Sequence, residues 1–340
     1  MKPTDFAYHL TGYLSKYLPG QVGVSINTVK SYRDTFSLLL RFCAEKCGIP
    51  VEKLSLPHLN KDLIENFLSF LESERGSCVS TRNQRLAAIH AFFRYLQVEA
   101  PENIYLYQQI LSVHFKRKSK TSAVAHLSLD AIQNILAQPD VTTPNGRRDL
   151  VLLSVLYDTG ARVQEIADLT VRDIRIDNPA TIKLTGKGGK SRTVPLMAQT
   201  KSLLEMYIKE RSLDKPSMQS CPLFYNRVKE KLTRAGISYI LDKYVQLARL
   251  MAPLHIPDKV TPHIFRHSKA MHLLQSGVNL VYIRDLLGHI DIATTEIYAR
   301  ADAEMKRKAL ENAYHNLAPQ DVPAWQKDET LLDWLKNLGT

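Results

Sequence analysis

The sequence has little of what marks several large classes of protein. Its 340 residues include only four cysteines, Cys43, Cys47, Cys78 and Cys221, which are too few and too scattered for a disulfide-bonded scaffold. No apolar run approaches the roughly 18 residues of a membrane-spanning helix, and the N-terminus has no basic stretch that leads into an apolar one. We therefore expect a reduced, cytoplasmic protein without a signal peptide.

Ligands for a metal or a nucleotide are equally scarce. Cys43 and Cys47 are four residues apart on a predicted helix, but no second Cys/His pair with zinc-like spacing follows them. The glycine-rich stretch TGKGGKS fails the phosphate-loop pattern G-x-x-x-x-G-K-[ST], because Leu184 stands where the pattern needs its first glycine. We expect no metal and no other cofactor.

Positive charge is what the sequence has in excess. There are 45 lysines and arginines against 34 acidic residues, which gives a formal net charge of +11. Such an excess favours a polyanionic partner, because each cation that neutralises a phosphate releases a counterion. Basic charge alone does not separate nucleic acid from anionic lipid.

Periodicity divides the chain into three parts: a helical domain over 1–113, a basic linker over 114–127 and a second domain over 128–340. The linker contains the consecutive residues Lys116, Arg117 and Lys118, which we interpret as contacts to a DNA backbone. A merely solvated linker is the alternative interpretation.

The first domain is predicted to be a bundle of four or five helices. Apolar residues recur three and four positions apart from Leu63 to Leu71, and Asn60 is a suitable N-cap for that segment. Short connections between such segments favour a compact bundle. Five polar residues of this bundle are candidate DNA contacts: Lys30, Arg33, Arg82, Asn83 and Arg85. An ordinary solvated surface is the alternative for each of them.

The second domain is predicted to combine helices with a small antiparallel sheet. The helical period gives way to alternation at 173–176, 181–184 and 192–195, and a glycine-rich turn separates the last two stretches. Helices resume after them. This domain is therefore assigned to the mainly helical α+β class.

Residues suited to phosphate chemistry lie at one predicted helix N-terminus. Thr261 and Pro262 are a good N-cap and first helical residue, and His263 and Arg266, three positions apart, share a helix face. A helix N-terminus attracts phosphate, and a guanidinium can donate two parallel hydrogen bonds to it. An imidazole exchanges protons near neutral pH. The pair is therefore a candidate phosphate site.

A histidine and a tyrosine follow it. His289 comes directly after Gly288, where we expect a helix to end, and Tyr298 lies nine positions further on. A tyrosine becomes a nucleophile where cations lower its pKa from about 10 or a base takes its proton. By itself Tyr298 would be interpreted as a half-buried aromatic residue, so its assignment depends on residues upstream.

Two upstream segments supply further cations. Arg162 lies at the start of a short helix with Glu165 three residues on, and Lys187 lies at the tip of the predicted hairpin. Lys190 and Arg192 follow on that hairpin and are candidate contacts to a DNA backbone.

The whole set resembles the tyrosine recombinase family, also called the phage integrase or Xer-like family. The segments GARVQEI, GKGGKSRTVPL, PHIFRHSKAMHLL and LLGHIDIATTEIYA each look like motifs of that family, and they span nearly the whole second domain. The resemblance implies an N-terminal all-helical, SAM-like core-binding domain joined to a mainly helical catalytic domain. It also implies a site-specific recombinase or integrase that needs neither metal nor ATP. Within the family, the sequence has some similarity to transposon-borne bacterial members.

The resemblance implies a role for each residue of the set. Arg162 and Arg266 would hold the scissile phosphate, His289 would hydrogen-bond to it, and Glu165 would orient a neighbouring side chain. The family's motif places the catalytic lysine on the first lysine of GKGxK, which is Lys187 rather than Lys190.

The remaining roles concern the proton and the covalent bond. Lys187 would protonate the departing 5′ oxygen, and His263 would act as general acid and base. Tyr298 would attack phosphorus and form a 3′-phosphotyrosyl link.

Partners also follow from the resemblance: double-stranded DNA with inverted core-type sites, and further copies of the chain in a tetramer. The tail over 318–340 carries an apolar stripe made of Leu331, Leu332, Trp334, Leu335 and Leu338. We expect this stripe to dock on a neighbouring subunit. Packing on its own domain is the alternative.

Two other functions compete with strand exchange. A type IB topoisomerase-like enzyme would share the nicking chemistry without exchanging partners. A DNA-binding regulator is suggested by the helix–turn–helix look of SGVNLVYIRDLLGH, but that reading leaves Arg162, Lys187 and Tyr298 unexplained.

Overall fold

The computed structural model describes residues 3–117, 125–251, 256–288, 295 and 329–336. The chain forms two compact units, Met1–Thr121 and Ser122–Thr340. Among the helices of the described part, none is long and apolar enough to cross a membrane. The first unit is helical and the second adds a small sheet to its helices, which confirms the predicted fold class.

The first unit is a bundle whose helices follow one another closely along the chain. Its helices are α1 (Asp5–Gly12), a π-helix that continues it (Tyr13–Gln21), α2 (Ile26–Lys46), α3 (Lys61–Ser73), α4 (Val79–Glu99) and α5 (Ile104–Leu111). Short 3₁₀ turns connect them at Val51–Lys53, Leu56–His58 and Pro101–Asn103.

Side-chain caps and aromatic packing account for this bundle. Ser25 and Asn60 accept hydrogen bonds from backbone N–H groups of the first turns of α2 and α3, as expected of N-caps. Three phenylalanines form the centre of the core: the ring of Phe92 lies 5.1 Å from that of Phe36 and 5.9 Å from that of Phe6, both edge to face.

The second unit places its sheet among helices. Its elements are α6 (Leu129–Leu136), α7 (Pro144–Asp158), α8 (Val163–Ala167), β1 (Ile174–Arg175), β2 (Thr181–Thr185), β3 (Ser191–Pro195), α9 (Ala198–Glu210), α10 (Arg234–Met251), α11 (Pro262–Gln275), α12 (Leu280–Leu287) and α13 (Glu329–Lys336). Short 3₁₀ turns lie at Val171–Asp173, Lys187–Gly189 and Pro216–Met218.

The sheet is antiparallel with the order β1-β2-β3. In the hairpin, Ile182 pairs with Val194 and Leu184 pairs with Arg192. Ile182, Leu184 and Val194 are buried. Because side chains two positions apart on a strand lie on the same face, Arg192 is on the core-facing side of β3 together with Val194. The three predicted strands are confirmed to within two residues at each end.

Two helix ends position the residues of the second unit. Thr261 Oγ1 accepts a hydrogen bond from the backbone N–H of Ile264, and Pro262 is the first residue of α11, as the sequence predicts. Gly288 ends α12 with φ 65°, in the left-handed region that favours glycine.

Gly160, after α7, is a second glycine whose conformation and surroundings both matter. Its φ is +56°, and a Cβ atom added there would lie 2.8 Å from Cδ2 of Leu287, closer than real Cβ contacts allow. The absence of a side chain lets the end of α12 pack on this turn.

We predict that Gly160→Ala destabilises the protein more than Gly277→Ala. Both alanines would meet left-handed backbone strain of roughly 1–2 kcal/mol, but the space around Gly277 is open to 4 Å whereas that around Gly160 is filled by Leu287. The clash should add on the order of 1–3 kcal/mol. Urea unfolding of both variants measures the difference, and equal losses would contradict the packing described here.

Candidate active site

Glu165 is the buried acid around which the candidate site is built. It lies in the first turn of α8 and is 3% exposed. Its Oε2 accepts a hydrogen bond of 2.8 Å from the backbone N–H of Arg162, and its Oε1 accepts one of 3.0 Å from Nη1 of the same residue. The carboxylate therefore fixes both the backbone and the side chain of Arg162.

Arg192 binds the same carboxylate from the sheet. Its Nη1 and Nη2 donate to Oε1 and Oε2 of Glu165, each at 2.8 Å, in the paired geometry that suits guanidinium and carboxylate. Burial alone would raise the pKa of Glu165, but the hydrogen bonds and charges of Arg192 and Arg162 outweigh it and lower the pKa to about 2. Glu165 is thus an anion at neutral pH.

The carboxyl end of α12 is held by three arginines. Arg192 Nε donates to the carbonyl oxygen of Leu286 at 2.7 Å, Arg266 Nη2 to that of Leu287 at 2.6 Å and Arg162 Nη2 to that of Gly288 at 3.3 Å. The last carbonyls of a helix lack helical partners and carry partial negative charge, so guanidinium groups stabilise them. The three arginines consequently fix the point from which the chain continues to His289.

Arg266 is the most enclosed of the three. It is 3% exposed, and its Nη1 donates a 2.7 Å hydrogen bond to the carbonyl oxygen of Gly160 in addition to the bond with Leu287. Two carbonyl oxygens from separate turns therefore fix the plane of its guanidinium group.

His263 lies in the first turn of α11, one turn before Arg266. Its side chain is exposed. Surrounding protein atoms partly desolvate the imidazole, and the positive charges of Arg266, Arg234 and Arg162 add to this effect, so the pKa of His263 is lowered. His263 is therefore neutral at pH 7 and able to accept a proton.

The hairpin tip lies directly against Glu165. A Cβ atom on Gly186 would be 3.0 Å from Oε1 of Glu165 and 3.8 Å from Nη1 of Arg162. The turn is closed by a 2.8 Å hydrogen bond from the backbone N–H of Gly186 to the carbonyl oxygen of Lys190. Lys187 follows Gly186, so its backbone is placed beside the site, and the side chain of Lys190 is exposed.

Some predicted site residues fall outside what the structure describes. His289, Tyr298 and Lys118 lie outside the described residues, as does the side chain of Lys187. The structure brings together the remaining predicted members of the set: Arg162, Glu165, His263 and Arg266.

The candidate DNA contacts of the first unit differ in exposure. Lys30 and Arg33 are exposed, with Arg33 bonded to its neighbour Asp34. Arg85 Nη1 donates to the carbonyl oxygen of Ser31 and to Thr35 Oγ1, both at 3.0 Å, and so joins α4 to α2.

Arg82 does not lie on the surface of the bundle, which both the DNA-contact interpretation and the solvated-surface alternative require. It is 6% exposed, and its Nη1 donates to the carbonyl oxygen of His114 at 3.0 Å. Asn83 exchanges two hydrogen bonds with the backbone of Lys116, at 2.8 and 3.1 Å. Both side chains hold the backbone of 114–116 to α4, while the side chains of Lys116 and Arg117 are exposed.

Sequence reasoning missed the structural role of Arg192, which we interpreted only as a DNA contact. A signal was present: Arg192 and Val194 share one face of an alternating strand, and an arginine on a core-facing position needs a buried partner. The close approach of Gly186 to Glu165 had no sequence signal beyond the glycine itself.

Comparison with known proteins identifies relatives of both units. The profile described as Phage integrase family matches residues 125–305, and the profile described as Phage integrase, N-terminal SAM-like domain matches residues 11–100. A protein of Sinorhizobium fredii named as an integrase/recombinase is 35% identical over 99% of both chains. Tyrosine recombinase XerD of Listeria monocytogenes is 30% identical over 86% of this chain and 94% of its own.

The chain therefore belongs to the phage integrase family, the family of the tyrosine recombinases. Members of this family are site-specific DNA recombinases. The resemblance inferred from the sequence motifs is confirmed.

Solved structures share the fold. The XerH site-specific recombinase bound to a difH substrate matches 86% of this chain and 80% of its own, with a TM-score of 0.68 and 23% identity. The Tn1549 transposon integrase in complex with transposon end DNA matches 89% of this chain and 98% of its own, with a TM-score of 0.67 and 17% identity.

We predict that Glu165→Ala destabilises the protein by about 3–5 kcal/mol, because it leaves Arg192 without its buried anion. The matched control is Glu210→Ala: Glu210 pairs with Arg147 at 2.8 Å near the surface, and losing such a pair costs about 0–1 kcal/mol. Urea unfolding at pH 7 compares the two, and a Glu165→Ala loss as small as that of the control would contradict the buried network.

We also expect the contribution of Glu165 to depend on pH. Its folded pKa of about 2 lies below the ordinary value, which is about 4.3 for an unfolded chain. The stabilisation is therefore fully present above about pH 4.3 and is lost as the pH falls towards the folded value. The difference in unfolding free energy between wild type and Glu165→Gln should shrink across that window. A constant difference would contradict the assignment.

Proposed function

We propose that this protein cuts and rejoins DNA at specific sites through a covalent 3′-phosphotyrosyl intermediate, without metal or ATP. The observation that carries this proposal is the convergence of Arg162, Arg266 and His263 at one place, beside the end of α12. Two guanidinium groups and an imidazole can supply the charge and the proton transfer that cleavage of a phosphodiester requires.

The arginines are suited to hold the scissile phosphate. The guanidinium group of Arg266 is fixed from behind by the carbonyl oxygens of Gly160 and Leu287, and that of Arg162 is fixed by Glu165. The side chain of Arg162 is 38% exposed and so can reach a ligand. Fixed donors stabilise the extra negative charge of a pentacoordinate transition state without having to reorganise.

The remaining roles are assigned by position in the family's motifs. Tyr298 attacks phosphorus and releases the 5′ oxygen, which Lys187 protonates. His263 accepts the proton of the tyrosine, and His289 donates a hydrogen bond to the phosphate. The phosphotyrosyl bond retains the ester linkage, so a second strand's 5′ hydroxyl can reverse the reaction and rejoin the DNA.

Strand exchange needs more than one copy of the enzyme. We infer a tetramer on paired, inverted core sites, with the first unit and the basic linker over 114–127 acting as a clamp on the duplex in the cytoplasm. Trp334 and Leu335 of α13 are 57% and 55% exposed. This exposure supports the tail over 318–340 as a docking element for a neighbouring subunit.

We predict that Tyr298→Phe abolishes covalent attachment to DNA while leaving binding intact. The phenol oxygen is the only atom removed, so the DNA-contacting surface is unchanged. The substrate is a nicked suicide duplex made from the DNA that flanks the protein's own gene, and denaturing gels measure the adduct. Tyr282→Phe, a change at an exposed tyrosine of α12, is the matched control and should form wild-type amounts of adduct.

A Tyr298→Phe protein that still trapped DNA covalently would show that another residue is the nucleophile. Loss of adduct in the Tyr282→Phe control would show that the effect is not specific to position 298.

The pH dependence of cleavage tests the role of His263. A general base must be neutral, and the lowered pKa of His263 keeps it neutral to below its ordinary value, which is about 6.5. We therefore expect the rate of adduct formation to rise with pH and to reach half of its plateau below about pH 6.5. His263→Gln should lower the rate by roughly 10²–10⁴-fold and remove the rise. An unchanged profile in His263→Gln would exclude this role.

A further inference from the structure

We propose that Arg192 is a positioning residue for strand cleavage. It joins Glu165 to the end of α12 and thereby sets where the segment that carries Tyr298 leaves the helix. This inference rests on the proposed function and names a residue to which the family's catalytic motif gives no role. It competes directly with the interpretation of Arg192 as a contact to the DNA backbone.

The hydrogen bonds of Arg192 are directed into the protein. Nη1 and Nη2 each donate to one oxygen of Glu165 at 2.8 Å, and Nε donates to the carbonyl oxygen of Leu286 at 2.7 Å. All three nitrogens of the guanidinium group are therefore engaged, and its side chain is only 13% exposed. The guanidinium group of Arg192 therefore joins two parts of the protein, Glu165 and the end of α12, through hydrogen bonds from every one of its nitrogens.

The turn that ends α12 is built against this guanidinium group. A Cβ atom on Gly288 would lie 2.9 Å from Nη1 and 3.2 Å from Cζ of Arg192. The backbone of Gly288 has the left-handed conformation, with φ 65°. A glycine at position 288, directly before His289, therefore permits both the left-handed turn and the close approach of Arg192.

Arg192 also connects the two halves of the hairpin to this turn. It lies on β3 and pairs with Leu184 on β2, two residues before Gly186. Gly186 in turn lies against Glu165. One guanidinium group therefore ties the hairpin that carries Lys187, the helix that begins after Arg162 and the end of α12 into one arrangement.

A lysine cannot reproduce this arrangement. Its ammonium group is a single point charge, whereas the planar guanidinium group reaches two carboxylate oxygens and a carbonyl oxygen at once. In Arg192→Lys, Glu165 keeps a neighbouring cation, but the carbonyl oxygen of Leu286 loses its donor and the end of α12 is held by two arginines instead of three. A displacement of about 1 Å at a reacting group costs on the order of 10²-fold in rate.

The experiment compares full-length Arg192→Lys with wild type on the suicide duplex. Three quantities are measured: the dissociation constant, its dependence on salt, and the first-order rate of adduct formation at saturating DNA. We expect an adduct rate lower by about 10²-fold, with the dissociation constant and the salt dependence of the wild type. Unchanged binding also shows that the variant is folded.

Three further variants sharpen the comparison. In Gly288→Ala, the added Cβ atom would clash with the guanidinium group of Arg192 without altering any charge. This variant should therefore cleave more slowly and bind DNA as the wild type does. In Arg192→Ala, added guanidinium ion at tens of millimolar should restore part of the lost rate, and the same concentration of potassium chloride should not. Arg175→Ala removes an exposed arginine of the same sheet and should cleave at the wild-type rate.

Each alternative has its own outcome. If Arg192→Lys cleaves saturating DNA at the wild-type rate, the positioning role is wrong. If Arg192→Ala instead weakens binding and lowers the salt slope by about one unit with an unchanged saturated rate, Arg192 is a phosphate contact. If the wild-type protein itself forms no adduct, the proposed function is wrong. That failure is distinguishable from a failure of the Arg192 proposal, in which wild type and Arg192→Lys form adduct at the same rate.

Discussion

The carboxylate of Glu165 is the charge on which the geometry of the site depends. Arg162 and Arg192 converge on it from a helix start and a strand, and its negative charge offsets the repulsion between the two guanidinium groups. Its own burial would be costly without those partners. Glu165 and Arg192, which are both largely buried, therefore stabilise each other.

The end of α12 is the second part of the structure that depends on these arginines. Three successive carbonyl oxygens, those of Leu286, Leu287 and Gly288, each accept a hydrogen bond from a different arginine. The same cations that suit a phosphate thus first satisfy the negative end of a helix. The chain continues from that end towards Tyr298, so under the proposed function the arginines that hold the phosphate also hold the start of the segment that carries the nucleophile.

Local chemistry made much of the fold predictable. Asn60 and Thr261 each precede a segment with helical spacing of apolar residues, and their side chains cap the helices that follow. The strands on either side of the glycine-rich turn alternate apolar and polar residues, as half-buried strands do. Periodicity did not place Arg82, and for Arg192 the strand alternation indicates a core-facing position but not the partner. Whether an arginine lies on the surface or inside depends on a partner distant in sequence: for Arg82 the carbonyl oxygen of His114, and for Arg192 that of Leu286. Periodicity carries no information about such partners.

The central claim is that this cluster of cations serves a tyrosine nucleophile, and the most direct measurement is to identify the residue that carries the DNA. The covalent complex formed on the suicide duplex is treated with nuclease and protease, and the modified peptide is sequenced by mass spectrometry. We expect a nucleotide 3′-phosphate on the peptide that contains Tyr298 and on that tyrosine. A nucleotide on a serine, a histidine or another tyrosine, or DNA released with a free 3′-phosphate and no attached peptide, would contradict the account.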